Sequence, residues 1–380
     1  MESNKEESHV TRMLRAKRCV PTTVLAIGLV LAAAAGTASA AQPKLPKSGV
    51  ETPPAATLTE TGSTLLYPLW NIWVPDYTQK YPNVSIQTAG TGSGTGITDA
   101  TNGTADIGAS DAYLSPSEVT ASPSLLNIPL AISAQLVVYN VPGVTAHLKL
   151  SGKLLSQIYQ GKITNWNDPA ISAINSGVTL PNLPIVTLHR SDSSGDTFLF
   201  TTYLSKTDAS GWGASIGYNT TVAWPNVTGA LGEAGNSGMV TGCKATAGCI
   251  AYVGISYQTQ ALQANLGYAQ LQNGKGAYVL PTAASINAEA AGFVKSTPAN
   301  GTISLIDGKT ATGYPIINYE YAIVNGKQSS SSTAKAVRSV LEWAIDPKDG
   351  SSPNYLSQVF FQPLPAKVEA QSVKQILKIS

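Results

Sequence analysis

Three short segments of the sequence combine small hydroxyl residues with glycine at a predicted helix start. A helix N-terminus leaves backbone N–H groups without intrahelical partners, and the helix dipole favours negative charge there. Such a turn can therefore bind one oxyanion through N–H and hydroxyl groups, although each turn alone is more often an ordinary N-cap. The three segments are Gly62-Ser63-Thr64-Leu65, Gly92-Ser93-Gly94-Thr95-Gly96 and Ser193-Ser194-Gly195-Asp196.

Two charged residues follow predicted strands close to these turns. Asp111 ends the apolar segment 105–111, and Arg190 follows the segment 185–189 and directly precedes the third turn. Ligand sites of α/β sheets lie at the carboxyl ends of strands, and the planar fork of an arginine suits a tetrahedral oxyanion. A carboxylate repels a fully deprotonated anion. Asp111 therefore favours a ligand that brings a proton, as phosphate does at neutral pH and sulfate does not.

The overall composition excludes several classes of function. The 380 residues include 24 Lys and Arg against 22 Asp and Glu, whereas a nucleic-acid partner requires clustered positive charge. Hydrophobic residues make up 43% of the chain, which supports a large core, and the length predicts two domains. The 3 His and 3 Cys are scattered, so we expect no metal site and no cofactor.

The N-terminus has the order of a cleaved signal peptide. Basic residues precede an apolar run at 24–35, which is shorter than the ~20 residues that span a bilayer, and small residues follow at 37–40. We expect residues 1–40 to be removed, residues 41–57 to form a Pro-rich linker, and the protein to be exported. Cys19 precedes the apolar run, so it is not a lipobox cysteine.

The mature chain retains two cysteines, Cys243 and Cys249. Exported proteins with an even number of cysteines usually pair them, so we expect a disulfide that closes a small loop. Two free buried thiols are the alternative, and the spacing excludes a catalytic Cys-x-x-Cys motif.

Short β-branched runs alternate with helical patterns, which favours an α/β fold with largely parallel sheets. Apolar residues at helical spacing predict helices within 154–159, 337–345 and 368–377, and Ser332 or Thr333 is the predicted N-cap of the second. The predicted strands are 84–88, 136–139, 185–188, 250–253 and 321–324.

Five motifs occur together in a fixed order. From about Leu58 to the C-terminus, the chain resembles the phosphate-binding protein (PstS) family of the bacterial ABC-type phosphate importer. The segment that follows Arg190 and the loop between the two cysteines look most like the actinobacterial branch. The motifs are Thr61-Gly-Ser-Thr-Leu-Leu-Tyr-Pro68, Gly92-Ser-Gly-Thr-Gly96, Asp106-Ile-Gly-Ala-Ser-Asp111, Ile158-Tyr-Gln-Gly-Lys-Ile-Thr-Asn-Trp-Asn-Asp168 and Arg190-Ser-Asp-Ser-Ser-Gly-Asp-Thr-Phe198.

The resemblance implies a two-lobed periplasmic-binding-protein-like α/β fold (type II), with two hinge segments and the ligand in the interlobe cleft. Lobe I would comprise residues 58–133 and 314–380, and lobe II residues 134–313. The implied protein is a monomer without enzymatic activity, whose partners are inorganic phosphate and the membrane permease subunits of the importer. Carried over by motif, the phosphate-binding residues are Thr64, Leu65, Ser93, Asp111, Arg190, Ser194, Gly195 and Asp196.

Two residues depart from the family pattern. Leu65 stands where many members have Phe, which matters little because the family uses that backbone. Asp196 stands where others have Thr, and three interpretations of it are open. Its carboxylate accepts a second proton from phosphate, it pairs with Arg190, or it caps the helix while its N–H meets the ligand. We expect direct contact, with Asp192 as an alternative partner for Arg190.

Three other functions fit the sequence less well. An exported hydrolase is disfavoured because His189 and Arg190 would point to opposite faces of a strand. A dinucleotide site at residues 90–96 lacks the Gly-x-Gly-x-x-Gly spacing. A sulfate or molybdate receptor is the nearest alternative, and Asp111 argues against it because those anions offer no proton.

Overall fold

The computed structural model describes Val50 and residues 52–380, so the predicted signal peptide and residues 41–49 and 51 of the predicted linker lie outside the described residues. The strands are β1 Ala56–Gly62, β2 Val84–Gly90, β3 Ile107–Ser110, β4 Leu125–Tyr139, β5 Lys149–Leu150, β6 Val186–Arg190, β7 Leu231–Glu233, β8 Cys249–Gly254, β9 Gly267–Tyr268, β10 Gln270–Gln272, β11 Tyr278–Val279 and β12 Ile317–Asn325. The helices are α1 Tyr67–Lys80, α2 Ser93–Asn102, α3 Pro116–Ala121, α4 Gly152–Tyr159, α5 Pro169–Ile174, α6 Gly195–Thr207, α7 Gly235–Ala245, α8 Gln258–Gln263, α9 Ala283–Phe293, α10 Ser331–Ile345, α11 Pro353–Leu356 and α12 Ala366–Ile376. None of the described helices is both long and apolar enough to cross a membrane.

The main sheet has the strand order β2-β1-β3-β12-β4-β8-β6-β7. Strand β1 is parallel to β2 and β3, and β6 is parallel to β8 and β7. Strand β12 is antiparallel to β3 and β4, and β4 is antiparallel to β8. The expectation of largely parallel sheets is therefore wrong at the centre. Strands β4 and β12 are buried along almost their whole length. Their sequences therefore lack the apolar–polar alternation of most antiparallel strands and resemble those of buried parallel strands.

Strand β4 changes its partner in the middle. Its residues 125–134 pair with β12, and residues 135–139 pair with β8. At this point the N–H of Gln135 donates to Ile316 O at 3.0 Å, and Tyr314 Oη donates to Gln135 O at 2.7 Å. The chain thus crosses between two groups of strands, β2-β1-β3-β12 and β8-β6-β7, which form the cores of a two-lobed α/β fold.

The predicted elements occur where the sequence pattern places them, with one correction. Helices α4 and α10 contain the first two predicted helices, and α12 contains the third except for Leu377. The five predicted strands lie within or overlap β2, β4, β6, β8 and β12. The N-cap of α10 is Ser330, whose Oγ accepts from the Thr333 N–H at 3.0 Å, so the prediction of Ser332 or Thr333 is wrong. The first two residues of the helix are exposed, and they therefore carry no apolar signal.

The predicted disulfide between Cys243 and Cys249 is confirmed, and both residues are fully buried. It joins the last turn of α7 to the start of β8. Asn140 Nδ2 donates to Cys243 O at 3.0 Å, and the backbone carbonyl of Asn140 accepts from the Gly248 N–H at 2.7 Å. The closed loop constrains the C-terminal end of α7, whose N-terminal end contributes Asn236 to the site described next.

Candidate anion-binding site

The first turn follows β1 and lies against the end of β3. Gly62 has φ 141°, and an added Cβ would lie 2.1 Å from Ala109 O. The next residue, Ser63, donates its N–H to the same carbonyl at 2.9 Å. Only glycine allows this close approach. It brings Ser63 Oγ to Asp111, the residue after β3, where the hydroxyl donates to Asp111 Oδ1.

Ser63 also organises the turn itself. Its Oγ accepts from the N–H groups of Leu65 at 3.1 Å and Leu66 at 2.9 Å, and α1 begins at Tyr67. The Leu65 N–H, a predicted anion ligand, is therefore bonded to Ser63 in this structure. Thr64 Oγ1 accepts from the backbone N–H of Asn236 at 3.2 Å and from its Nδ2 at 3.0 Å. The first turn thus contacts the N-terminus of α7, a helix that packs on β8 and β6.

The second turn begins α2 and meets the same carboxylate. Ser93 Oγ donates to Asp111 Oδ2 at 3.3 Å and accepts from the Asp111 N–H at 3.2 Å. Each Asp111 oxygen thus has a hydroxyl donor, and the side chain is buried. Burial and the charge of Asp196 raise the pKa of Asp111 to about 7, while the Ser63 hydroxyl and the charge of Arg190 oppose the rise. Asp111 is therefore a strong proton acceptor.

Arg190 ends β6 and is held by two carboxylates. Its Nε donates to Asp192 Oδ1 at 2.6 Å, its Nη2 donates to Asp192 Oδ2, and its Nη1 donates to Asp196 Oδ2 at 3.0 Å. A guanidinium has five N–H groups, and these bonds use three of them. Within the described part of the chain, two N–H groups are left for a ligand. Only 4% of Arg190 is exposed, and its fork is fixed in one orientation.

The third turn caps α6. Ser194 is the N-cap, and its Oγ accepts from the Thr197 N–H at 3.3 Å. Its own N–H, another predicted ligand group, donates to Thr220 O at 2.8 Å. Gly195 and Asp196 are the first two residues of the helix, so their N–H groups have no intrahelical acceptor. The positive end of the α6 dipole lies at these two groups.

The second and third turns are in direct contact. The Gly94 N–H donates to Ser193 O at 3.0 Å. An added Cβ on Gly195 would lie 2.5 Å from Asp111 Oδ2 and 2.5 Å from Ser93 Oγ. The structure thus brings all eight predicted site residues into one buried cluster.

Asp196 is fully buried and its carboxylate has three donors. Oδ2 accepts from Arg190 Nη1 and from Asn236 Nδ2 at 2.7 Å, and Oδ1 accepts from Gln135 Nε2 at 3.1 Å. Burial raises the pKa of Asp196, and the charge of Arg190 opposes that shift. These contacts favour the interpretation in which Asp196 pairs with Arg190. Asp192 is a second partner rather than an alternative one.

The cluster contains three residues that are not among the predicted ligands, Ser63, Gln135 and Asn236. Asn236 links the first and third turns: it donates to Thr64 and Asp196, and its Oδ1 accepts from the Gly254 N–H at 2.8 Å. Ser63 lies inside the first motif, so its hydroxyl could have been considered. Gln135 and Asn236 lie outside all five motifs, and no local pattern marks them.

Comparisons with known proteins identify the family of the chain. Residues 48–348 match the family model described as PBP superfamily domain. The phosphate-binding protein PstS of Xylella fastidiosa is 33% identical over 332 residues, which cover 86% of each chain. The phosphate-binding protein PstS 2 of Mycobacterium tuberculosis is 31% identical over 338 residues, which cover 85% of this chain and 87% of that protein.

A solved structure shows the same fold. The phosphate binding protein from Stenotrophomonas maltophilia superposes with a TM-score of 0.64 at 20% identity, and the match covers 84% of this chain and 94% of that chain. The extent of the family match and the identity to two curated relatives confirm the resemblance seen in the five motifs. The chain therefore belongs to the PBP superfamily and, within it, to the PstS phosphate-binding protein family.

Proposed function

We propose that this protein captures inorganic phosphate outside the cytoplasm and delivers it to the permease subunits of an ABC-type importer. It acts as a monomer, without a cofactor and without enzymatic activity. The observation that carries the proposal is a buried proton acceptor, Asp111, beside the cation Arg190 and the N-terminus of α6. Phosphate satisfies both kinds of group because it is an anion that carries a proton. Calorimetric titration with phosphate and sulfate tests the proposal.

The proposed ligand groups divide by chemistry. Hydroxyls come from Thr64, Ser93 and Ser194, and N–H groups come from Gly195 and Asp196. Arg190 contributes the N–H groups that its two carboxylates leave free, and Asp111 accepts the ligand's proton. The N–H groups of Leu65 and Ser194 contribute after exchanging Ser63 and Thr220 for phosphate oxygens. The Ser93 hydroxyl likewise turns from Asp111 Oδ2 to the ligand.

The lobe boundaries proposed from the resemblance are 58–133 with 314–380, and 134–313. The partner change of β4 after Ala134 and the contact of Tyr314 with Gln135 support two crossing segments at these places. Thr64, Ser93 and Asp111 then belong to lobe I, and Arg190, Ser194, Gly195 and Asp196 belong to lobe II. Ligand binding closes the cleft between them, as in other hinge-closing binding proteins.

Replacing Gly195 by Ala should weaken phosphate binding about tenfold to 100-fold, because overlap in a packed contact costs about 1–3 kcal/mol. The new methyl group would lie 2.5 Å from Asp111 Oδ2 and Ser93 Oγ, so it would keep the lobes apart. Calorimetry measures the affinity, and X-ray scattering shows whether phosphate still compacts the protein. The control is Gly232→Ala, where the nearest atom would be 3.5 Å from the added Cβ. Unchanged affinity and compaction in Gly195→Ala would contradict the proposed closure.

Asp196 has a proposed double role. Its N–H binds phosphate at the start of α6, while its carboxylate orients Arg190. Asp196→Asn should therefore weaken phosphate binding about tenfold through the loss of a charge-assisted bond. Its affinity should follow that of the parent in parallel between about pH 6 and 8, where phosphate itself titrates. The measurement is affinity against pH with the ligand's ionisation included. Converging or crossing curves would show that the carboxylate senses the ligand's protons directly.

We also propose export through cleavage of residues 1–40, which leaves the protein secreted or associated with the cell envelope, and membership of the actinobacterial branch. The disulfide loop at Cys243 and Cys249 and the segment after Arg190 support the branch. N-terminal sequencing of the exported protein tests the cleavage. A phylogenetic tree that places the chain outside the actinobacterial members would contradict the assignment to that branch.

A further inference from the structure

Glu320 is a buried acid next to the proposed proton acceptor. It lies on β12 with no exposed surface. Its Oε1 accepts from Asn318 Nδ2 at 3.0 Å and contacts Ser133 Oγ, whose single proton is shared with Asn318 Oδ1 at 2.6 Å. Its Oε2 is buried and has no donor in the part of the chain that the structure describes. Tyr321 pairs with Ser110 of β3, so Glu320 lies opposite Asp111, where side chains of paired strands are neighbours. Asn318 Nδ2 contacts both residues, at Glu320 Oε1 and, at 3.4 Å, at Asp111 O.

A hydrogen bond between two carboxyl groups requires a proton, because ionised carboxylates only accept. Two like charges at this separation inside a protein cannot both be maintained, so one of the two acids is neutral. Asp111 accepts from the hydroxyls of Ser63 and Ser93, one on each oxygen, and the Arg190 charge favours its ionised form. Glu320 has donors on Oε1 alone. The proton therefore belongs on Glu320 Oε2.

The titratable and charged groups around this pair agree with that placement. Asp196 and Arg190 face Asp111 from the side of β6 and α6, and their opposite charges act on it in opposite directions. Tyr321 adjoins Glu320 on β12. Burial and the charge of Asp111 raise the pKa of Glu320 well above its usual range. Glu320 thus stays neutral at a pH where an exposed glutamate is ionised.

We propose that Glu320 is a positioning residue that remains protonated and donates to Asp111, which keeps Asp111 ionised and oriented to accept the ligand's proton. The part that concerns the ligand rests on the proposed function, whereas the proton placement does not. Without this donor, the pKa of Asp111 would rise further. Asp111 would then be neutral in more molecules at neutral pH, and its repulsion of sulfate would weaken. Glu320 is therefore a determinant of selectivity that does not touch the ligand.

Two substitutions test the selectivity role by calorimetry. Glu320→Gln keeps the shape and places an amide donor beside Asp111, so phosphate affinity should stay within about threefold of the parent, without sulfate binding. Glu320→Leu removes the donor, so phosphate affinity should fall about tenfold and sulfate binding should become measurable. If Glu320 were ionised, Glu320→Gln would remove a negative charge beside an anion site. A tenfold gain in phosphate affinity or the appearance of sulfate binding in that variant would overturn the proposal.

Infrared spectroscopy tests the proton placement without any ligand. Other buried acids with a raised pKa, such as Glu60, also contribute a neutral-acid band. The spectrum of each variant is therefore subtracted from the spectrum of the parent. The neutral-acid carbonyl band should be lost in Glu320→Gln and kept in Asp111→Asn. The reverse pattern would place the proton on Asp111 and overturn the proposal. If the bands behave as expected but the parent does not bind phosphate, the proton placement stands and the proposed function fails.

Discussion

Arg190→Met is expected to remove phosphate binding up to millimolar ligand and to lower the free energy of unfolding by about 3–5 kcal/mol. The guanidinium is the cation that the buried carboxylate of Asp196 contacts, and it also holds Asp192 with two bonds. Its removal would leave a fully buried carboxylate without a counter-charge. Calorimetry measures the affinity, and urea unfolding followed by tryptophan fluorescence measures the stability.

Arg190→Lys separates charge from geometry. Lysine restores a positive charge, so much of the stability should return, but it lacks the planar fork and should bind phosphate weakly. Arg338→Met, on α10, is the control for loss of a partly buried arginine elsewhere and should leave phosphate affinity unchanged. Retention of phosphate affinity within tenfold in Arg190→Met would contradict the role given to this residue.

Asp111→Asn is expected to weaken phosphate binding about 100-fold and to allow sulfate binding. The amide offers a donor where the carboxylate offers acceptors, so the proton of phosphate loses its partner while a sulfate oxygen gains one. The loss of negative charge also removes the repulsion of a dianion. Competition between phosphate and sulfate, followed by calorimetry at constant ionic strength, measures the change in selectivity.

The matched control is Asp76→Asn, which removes an exposed carboxylate on α1. It should leave the affinities for both anions unchanged, because an exposed charge is screened by solvent. Continued exclusion of sulfate by Asp111→Asn would show that the shape of the cleft, rather than the carboxylate, selects the anion.

The parts of the site that are local in sequence could be predicted. Asp111 and Arg190 can be assigned to the carboxyl ends of strands because apolar strand segments precede them. Ligand-binding residues of α/β folds lie at such strand ends. The starts of α2 and α6 were predicted from Gly92 and Ser194, which have the residue types that precede helices. Each of these inferences needs only a few consecutive residues.

The parts that depend on the packing of distant segments could not be predicted. Gln135 donates to Asp196, which is 61 residues away in sequence, and Asn236 donates to Asp196 from a separation of 40 residues. Asn236 also donates to Thr64, from which it is separated by 172 residues. Arg190, Gln135 and Asn236 together surround the Asp196 carboxylate with donors, and no local sequence pattern shows this arrangement. The antiparallel direction of β4 and β12 was hidden for a related reason, because strands buried on both faces have the same apolar pattern in either direction.

The central claim is that Asp111 selects an anion that is able to give it a proton. Calorimetric titration of the purified protein with phosphate, and separately with sulfate at the same ionic strength, tests it most directly. We predict phosphate binding at micromolar or lower concentration, which corresponds to about −8 kcal/mol or better, and no heat of binding with sulfate. Equal affinities for the two anions, or binding of sulfate alone, would contradict the claim.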